Sequence, residues 1–222
     1  VVPNLDDIEY NGVPPYDILR KMIKTFGMDE LARANFDKQI AKAEAIARGE
    51  DVEKPAKKQV TNGPVSEEAL DAAAMGILPI IEISRHCQGL ITAMGVSVGL
   101  TAGAIMSKGS LAQKKKYAGE LMTLEKIGAW AITEPNSGSD AFGAMKSTAR
   151  RDGKGGYILN GNKTFITNGP HADTIVFICR LDEPGVAPAD RKIVSFILDS
   201  GMPGLEQSPA FKKMGIGASP TG

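Results

Sequence analysis

The residue pattern changes near position 128, and that change restricts the chain to a helical part followed by a strand-rich part. Before it, Gly, Pro and capping residues stand where helices begin and end. Pro14 and Pro15 predict a helix from Tyr16 to about Phe26, stopped by Gly27, and a second runs from about Asp29 to Arg48, closed by Gly49. Glu50 to Pro64 reads as a charged, proline-containing connection. Ser66, followed by Glu67 and Glu68, predicts an N-cap with acids that complement the helix dipole, opening a helix that Pro79 is expected to kink. A helix without charges follows after Gly89. Ser110 to Gln113 then spells a capping box, and the run Lys114, Lys115, Lys116 behind it reads as a solvated face.

After Trp130 the punctuation is that of strands. Asp152-Gly153, Gly155-Gly156, Asn160-Gly161 and Asn168-Gly169 are turn formers, and Tyr157–Leu159, Lys163–Thr167, Thr174–Cys179 and Ile193–Leu198 are the β-rich runs around them. Connections this short favour antiparallel pairing in a meander or small barrel, because parallel strands need longer crossovers. The expected fold class is therefore α+β and multidomain, with an N-terminal all-α helical bundle over residues 1–128 and an antiparallel β-barrel-like domain over 129–222. No strand, GxGxxG and helix succession supports a Rossmann nucleotide site.

Charge and cysteine usage narrow the function classes. With 26 Lys plus Arg against 26 Asp plus Glu, the chain lacks the basic excess that displaces counterions from phosphates, so nucleic-acid binding is not expected. Cys87 and Cys179 belong to no CxxC or Cys/His cluster; neither a disulfide scaffold nor a metal site is suggested, and a reducing compartment fits. Val1 to Tyr10 lacks the basic start and apolar run of a signal peptide. Cys87 to Met106 carries no charge over 20 residues, the length of a membrane span. Its Gly95, Gly99, Gly103, Gln88, Ser97 and two Thr make it weakly hydrophobic, and a helix buried in a soluble bundle is the expected outcome.

The segment that carries chemistry is Ala129 to Asp140, AWAITEPNSGSD. Pro135, Asn136, Ser137, Gly138 and Ser139 make a turn rich in exposed donors, a cradle for a phosphate or a flavin edge, though an ordinary Ser/Gly turn has the same composition. TEPNSGSD at Thr133–Asp140, with FITN at Phe165–Asn168, resembles the paired motifs TEPxxGSD and WITN of the acyl-CoA dehydrogenase family. The intervening YILNGNK and the upstream Gly109, Gln113, Lys116, Tyr117, Leu121, Gly128 and Ala129 are similar to the same family in register, and the likeness covers roughly residues 75–222.

The resemblance implies an FAD site. Trp130, Ile132 and Thr133 would lie along the flavin, with Thr133 donating to its pyrimidine edge. Gly138 and Ser139 would sit near the FAD pyrophosphate, Ser139 also touching the thioester arm of the acyl-CoA substrate. Phe165 replaces the family's usual Trp beside the flavin, Ile166 falls within the same contact segment, and Thr167 matches the residue whose hydroxyl reaches flavin N5. The implied reaction is α,β-desaturation: a Glu removes the α-proton while hydrogen bonds to the thioester oxygen stabilise the enolate, and flavin N5 takes a hydride from the β-carbon. That Glu would come from a C-terminal helical domain, which these 222 residues do not contain, so none of them is expected to be the catalytic base. Glu134 belongs to the TEP motif and is expected to be structural; His86 and His171 have no recognisable partner pattern.

The resemblance further implies electron transfer to an electron-transfer flavoprotein, a homotetramer, and a cytoplasmic location, or the mitochondrial matrix in a eukaryote. Acyl-CoA oxidases, flavin-dependent monooxygenases and a non-catalytic partner subunit share the architecture. Two departures stand out. Gly217, in MGIGASPT, occupies a position where many relatives carry Arg, and Ile91 falls where the glutaryl-CoA branch uses an Arg for the distal carboxylate. An apolar Ile91 implies a substrate without a terminal acid.

Overall fold

A computed structural model describes residues 2–50 and 66–222; apart from Glu50, the connection expected up to Pro64 lies outside the described residues. The helical part comprises α1 (Leu5–Glu9), α2 (Tyr16–Thr25), α3 (Met28–Ala47) and α4 (Glu67–Met94). The chain then continues through wider π turns over Gly95–Ala102 into α5 (Gly103–Lys108), and through α6 (Leu111–Gln113) and π turns over Lys114–Ala118 into α7 (Gly119–Met122). The local signals act as expected. Gly27 and Gly49 take left-handed φ of 64° and 79° beside α3, Ser66 Oγ accepts from Ala69 N at 3.3 Å, and Ser110 and Gln113 exchange bonds of 2.8 and 3.2 Å.

Two helical expectations need correction. Pro79 lies inside α4, and the non-helical backbone is at Cys87 instead (φ −158°, ψ 94°). Around Pro79 the helix is exposed, so water can serve the carbonyl that loses its donor, whereas Cys87 is buried and meets α1. The uncharged stretch is interior on one face alone. Leu90, Ala93, Ser97, Thr101, Ala102 and Ile105 are buried, while Gly95, Gly99 and Leu100 are exposed. The lysine run behaves as a charged surface: Lys115 pairs with Glu44, and Lys116 pairs with Asp199 at 3.1 Å.

The strand-rich part is one open, mixed, five-stranded sheet: β1 (Gly128–Ala131), β2 (Thr148–Arg151), β3 (Tyr157–Asn160), β4 (Thr174–Leu181) and β5 (Ile193–Asp199). Antiparallel pairs join β2 to β3 and β4 to β5, but β1 and β2 run parallel to β4. The expected antiparallel, barrel-like domain is thus not what forms among the described residues. Lys163–Thr167, expected as a strand, is instead part of an irregular connection over 161–173; because β3 has already reversed the chain relative to β2, this connection enters β4 parallel to β2. Because β5 covers β4 from Thr174 to Arg180 on one side, β1 and β2 share its other edge, β1 against Thr174–Phe177 and β2 against Arg180–Leu181. The chain leaves the sheet between them as the loop 132–147.

The fully buried β4 is packed on both faces. Val176 and Ile178 join Phe36, Ile40, Ile105 and Leu121 on the helical side, and Ile175, Phe177 and Cys179 join Ala129, Ala131, Ala149 and Ile166 on the other. A second core unites Ile8, Leu19, Ile23, Leu90, Leu124 and Ile127 from α1, α2, α4 and the approach to β1. Close contact between helix and sheet explains one glycine: a Cβ at Gly128 would stand 2.7 Å from Thr101 Cβ.

Candidate functional site

The two chemistry-bearing motifs, far apart in sequence, meet at the end of β1. Thr164 N donates to Thr133 O at 3.0 Å, and Lys163 Nζ donates to Ile132 O at 3.0 Å and to Glu134 Oε1 at 2.9 Å. The FITN segment is held from its other side by 220–222. Ile166 N donates to Gly222 O at 2.7 Å, Gly222 N to Ile166 O at 3.2 Å, and Asn168 N to Pro220 O at 2.7 Å.

Glu134 organises the loop. Its carboxylate is 6% exposed and accepts from Lys146 N at 2.7 Å, Ser147 N at 2.8 Å and the equally buried Lys163. Burial alone would raise its pKa, but the donors of Ser147, Lys146 and Lys163 overcome it and hold the carboxyl at about 2. An ionised carboxylate with this many donors is a poor proton acceptor, in keeping with the structural role expected of Glu134. The turn itself is closed by reciprocal bonds of 3.0 Å between the backbones of Glu134 and Ser137, and by Ser137 Oγ donating to Asp140 O at 2.7 Å. Further along, buried Arg180 spans two loops, donating to Phe142 O at 2.5 Å and to Pro188 O at 3.0 Å.

Seven of the eight expected contact residues present accessible groups around this junction. Trp130, Ile132, Thr133 and Thr167 are half-buried, and Gly138 and Ser139 are exposed. Among the described residues neither the Thr133 nor the Thr167 hydroxyl has a hydrogen-bond partner. β1 is an edge strand there, so one row of its backbone groups faces no neighbouring strand. Phe165 is 67% exposed and adopts φ of 59°, a conformation that is costly for a bulky residue. Its ring meets Phe211 edge-on at 5.8 Å. Ile166 is the exception. Its side chain is in the core behind the sheet and both its backbone groups are paired with Gly222, which leaves it a supporting residue.

Sequence reasoning missed Asn168. It is fully buried at φ of 64°; its Nδ2 donates to Ala93 O at 2.9 Å and Gly128 O at 3.0 Å, and its Oδ1 accepts from Tyr16 at 3.1 Å. The Asn-Gly pair signalled the left-handed turn, but nothing local signalled three partners from distant elements. Burial raises the pKa of the Tyr16 hydroxyl, so it stays a donor.

Residues 129–222 match the family model for the acyl-CoA dehydrogenase middle domain. The chain is 41% identical over 145 residues to the mitochondrial isovaleryl-CoA dehydrogenase of Pongo abelii, covering 65% of this chain and 34% of that protein. It is 31% identical over 217 residues to a short-chain-specific acyl-CoA dehydrogenase of Clostridium acetobutylicum, covering 96% of this chain and 55% of that protein. Among solved structures, a glutaryl-coenzyme A dehydrogenase in complex with glutaryl-CoA superposes on 100% of this chain and 48% of its own, at 28% identity and a TM-score of 0.68. The chain therefore spans between a third and about half of these relatives. With its two signature motifs joined at one site, the chain is similar to acyl-CoA dehydrogenases along 96% of its length, and residues 129–222 match that family's middle domain.

Proposed function

We propose that the chain supplies residues 1–128 as the helical domain and 129–222 as the middle domain of an FAD-dependent enzyme that desaturates an acyl-CoA thioester between its α and β carbons. The observation that carries this reading is the pair of unpartnered hydroxyls, Thr133 and Thr167, on two segments hydrogen-bonded to each other beside an open strand edge. These groups fit a flavin. The Thr133 carbonyl accepts from Thr164 and fixes the residue in place, its unpartnered hydroxyl is free to donate to the pyrimidine edge, and the Thr167 hydroxyl is left for N5. The exposed Phe165 ring offers an apolar plane, and the exposed Gly138–Ser139 turn offers donors for a pyrophosphate, with Ser139 also reaching the thioester arm.

When bound, FAD supplies the acceptor for the hydride that leaves the β-carbon. The chain's own residues bind and orient: Trp130 and Ile132 line the strand edge, Glu134 and Lys163 hold the loop in shape, and the α-proton is left to a Glu outside these residues. Ile91 is half-buried and apolar, which favours a substrate without a terminal carboxylate. In this reading the electrons pass to an electron-transfer flavoprotein, the assembly is a homotetramer, and the location is cytoplasmic or the mitochondrial matrix.

The reading is tested on the full-length enzyme, which includes the Glu outside these residues, by titrating FAD and adding acyl-CoA thioesters anaerobically while following the flavin absorbance. FAD should bind, and butyryl-CoA should bleach it much faster than glutaryl-CoA. Failure to bind FAD, or no bleaching by any thioester, overturns the dehydrogenase reading. Equal bleaching by the two thioesters overturns the substrate assignment, and rapid oxygen consumption transfers the chain to the oxidases.

A further inference from the structure

The departure at Gly217 leads to a group outside both motifs. A Cβ at Gly217 would run into the backbone carbonyl of Glu9, and one at Gly89 would stand 2.9 Å from Ala218 Cβ. The loop around Ala218 is thus clamped between α1 and α4, and a larger side chain at 217 has no room. The Glu9 carboxylate makes the clamp polar: Oε1 accepts from Gly217 N at 2.9 Å, and Oε2 accepts from Ala218 N at 3.0 Å. Cys87, the non-helical residue of α4, directs its Sγ to the same Oε2 at 3.8 Å.

The clamped loop runs straight into the segment that supports the candidate flavin site. Lys213 Nζ holds Ser219 O at 2.5 Å and Thr221 Oγ1 at 3.1 Å, and residues 220–222 then make the backbone bonds to Ile166 and Asn168 on either side of Thr167. Two charge-assisted hydrogen bonds at one end therefore restrain a short ladder at the other, one loop away. We propose that Glu9 is a positioning residue for the flavin site: by fixing the 217–218 backbone it sets the position of the 220–222 segment, and with it the orientation of the Thr167 hydroxyl. This rests on the flavin reading above for the identity of the ligand, but the mechanical part of it does not.

Two measurements separate the parts. Hydrogen exchange on the protein without FAD compares the unaltered chain with Glu9→Gln, which keeps the size but puts an amide donor against one of the loop N–H groups. Exchange at 166–168 and at Gly222 should accelerate about tenfold, while β4 and β5 keep their protection. FAD titration should then show an affinity loss of about tenfold for Glu9→Gln, and a double variant with Thr167→Ala should lose less than the sum of the two single losses. Unchanged exchange at 166–168 overturns the proposal, as does equal acceleration throughout the sheet, which would indicate global destabilisation. Strict additivity with Thr167→Ala overturns the route through Thr167. Absence of FAD binding by the unaltered chain defeats the flavin reading, and the exchange result still decides whether Glu9 braces the segment.

Discussion

Asn168 carries more of the site's geometry than its place at the end of FITN suggests, because one small side chain satisfies backbone carbonyls of α4 and β1 and the hydroxyl of α2 while its own backbone is left-handed. Asn tolerates that conformation better than most residues, and its amide offers both donors and an acceptor. Asn168→Ala leaves the Ala93 and Gly128 carbonyls and the Tyr16 hydroxyl without this partner in a fully buried site. We expect a loss of roughly 3 kcal/mol in urea unfolding, with Asn168→Asp nearly as damaging because it removes the two donors. A loss below half a kcal/mol would show that water or a shift of Tyr16 replaces the amide. At the same scale the motif residues were legible in the sequence, since TEPNSGSD and FITN are local strings. The supporting role of Ile166 was not, because which face of a segment is buried depends on what packs behind it.

At the scale of elements, β1 is seated on the helical part by close approach rather than by side-chain bulk. Gly128 N donates to Ser97 Oγ at 2.9 Å, and Thr101 fills the space where a Cβ would go. The π turns over Gly95–Ala102 carry both partners, with Thr101 Oγ1 bonded to Val96 O at 2.9 Å. Gly128→Ala should cost about 2 kcal/mol through overpacking and weaken FAD binding, because β1 leads directly into Trp130 and Thr133. Gly138→Ala, which meets open space, should change thermal stability by less than about half a kcal/mol. Equal melting temperatures for both variants would show that the β1 contact is slack. Helix ends were readable because Gly27, Gly49, Ser66 and the Ser110–Gln113 box act locally. The parallel pairing of β1 and β2 with β4 was not, because the Lys163–Thr167 run has strand composition yet its backbone bonds go to Thr133 and to 220–222.

At the scale of the whole molecule, Glu134 joins three stretches of the strand-rich part: the loop after β1, the entry to β2 and the connection to β4. Its folded pKa of about 2 lies below the ordinary 4.5, so its contribution is complete above pH 4.5 and is lost as the pH falls towards 2. Glu134→Gln, which leaves Lys163 buried without its carboxylate, should cost about 3 kcal/mol at neutral pH and flatten the stability profile in that acid range. A variant that keeps the unaltered acid profile would assign the acid sensitivity to other carboxylates. The sequence by itself determined the order of a helical part and a strand-rich part, the helix caps, three of the five strands and the identity of the signature motifs, because each depends on neighbours a few residues away. Only the tertiary structure decided that the sheet is mixed and open, that the helix break falls at Cys87, that Asn168 ties α2, α4 and β1 together, and that Glu9 holds the loop at Gly217. Those features depend on groups that meet across up to 209 positions of chain, where burial and the need to satisfy every buried donor select the partner and local pattern carries no record of it.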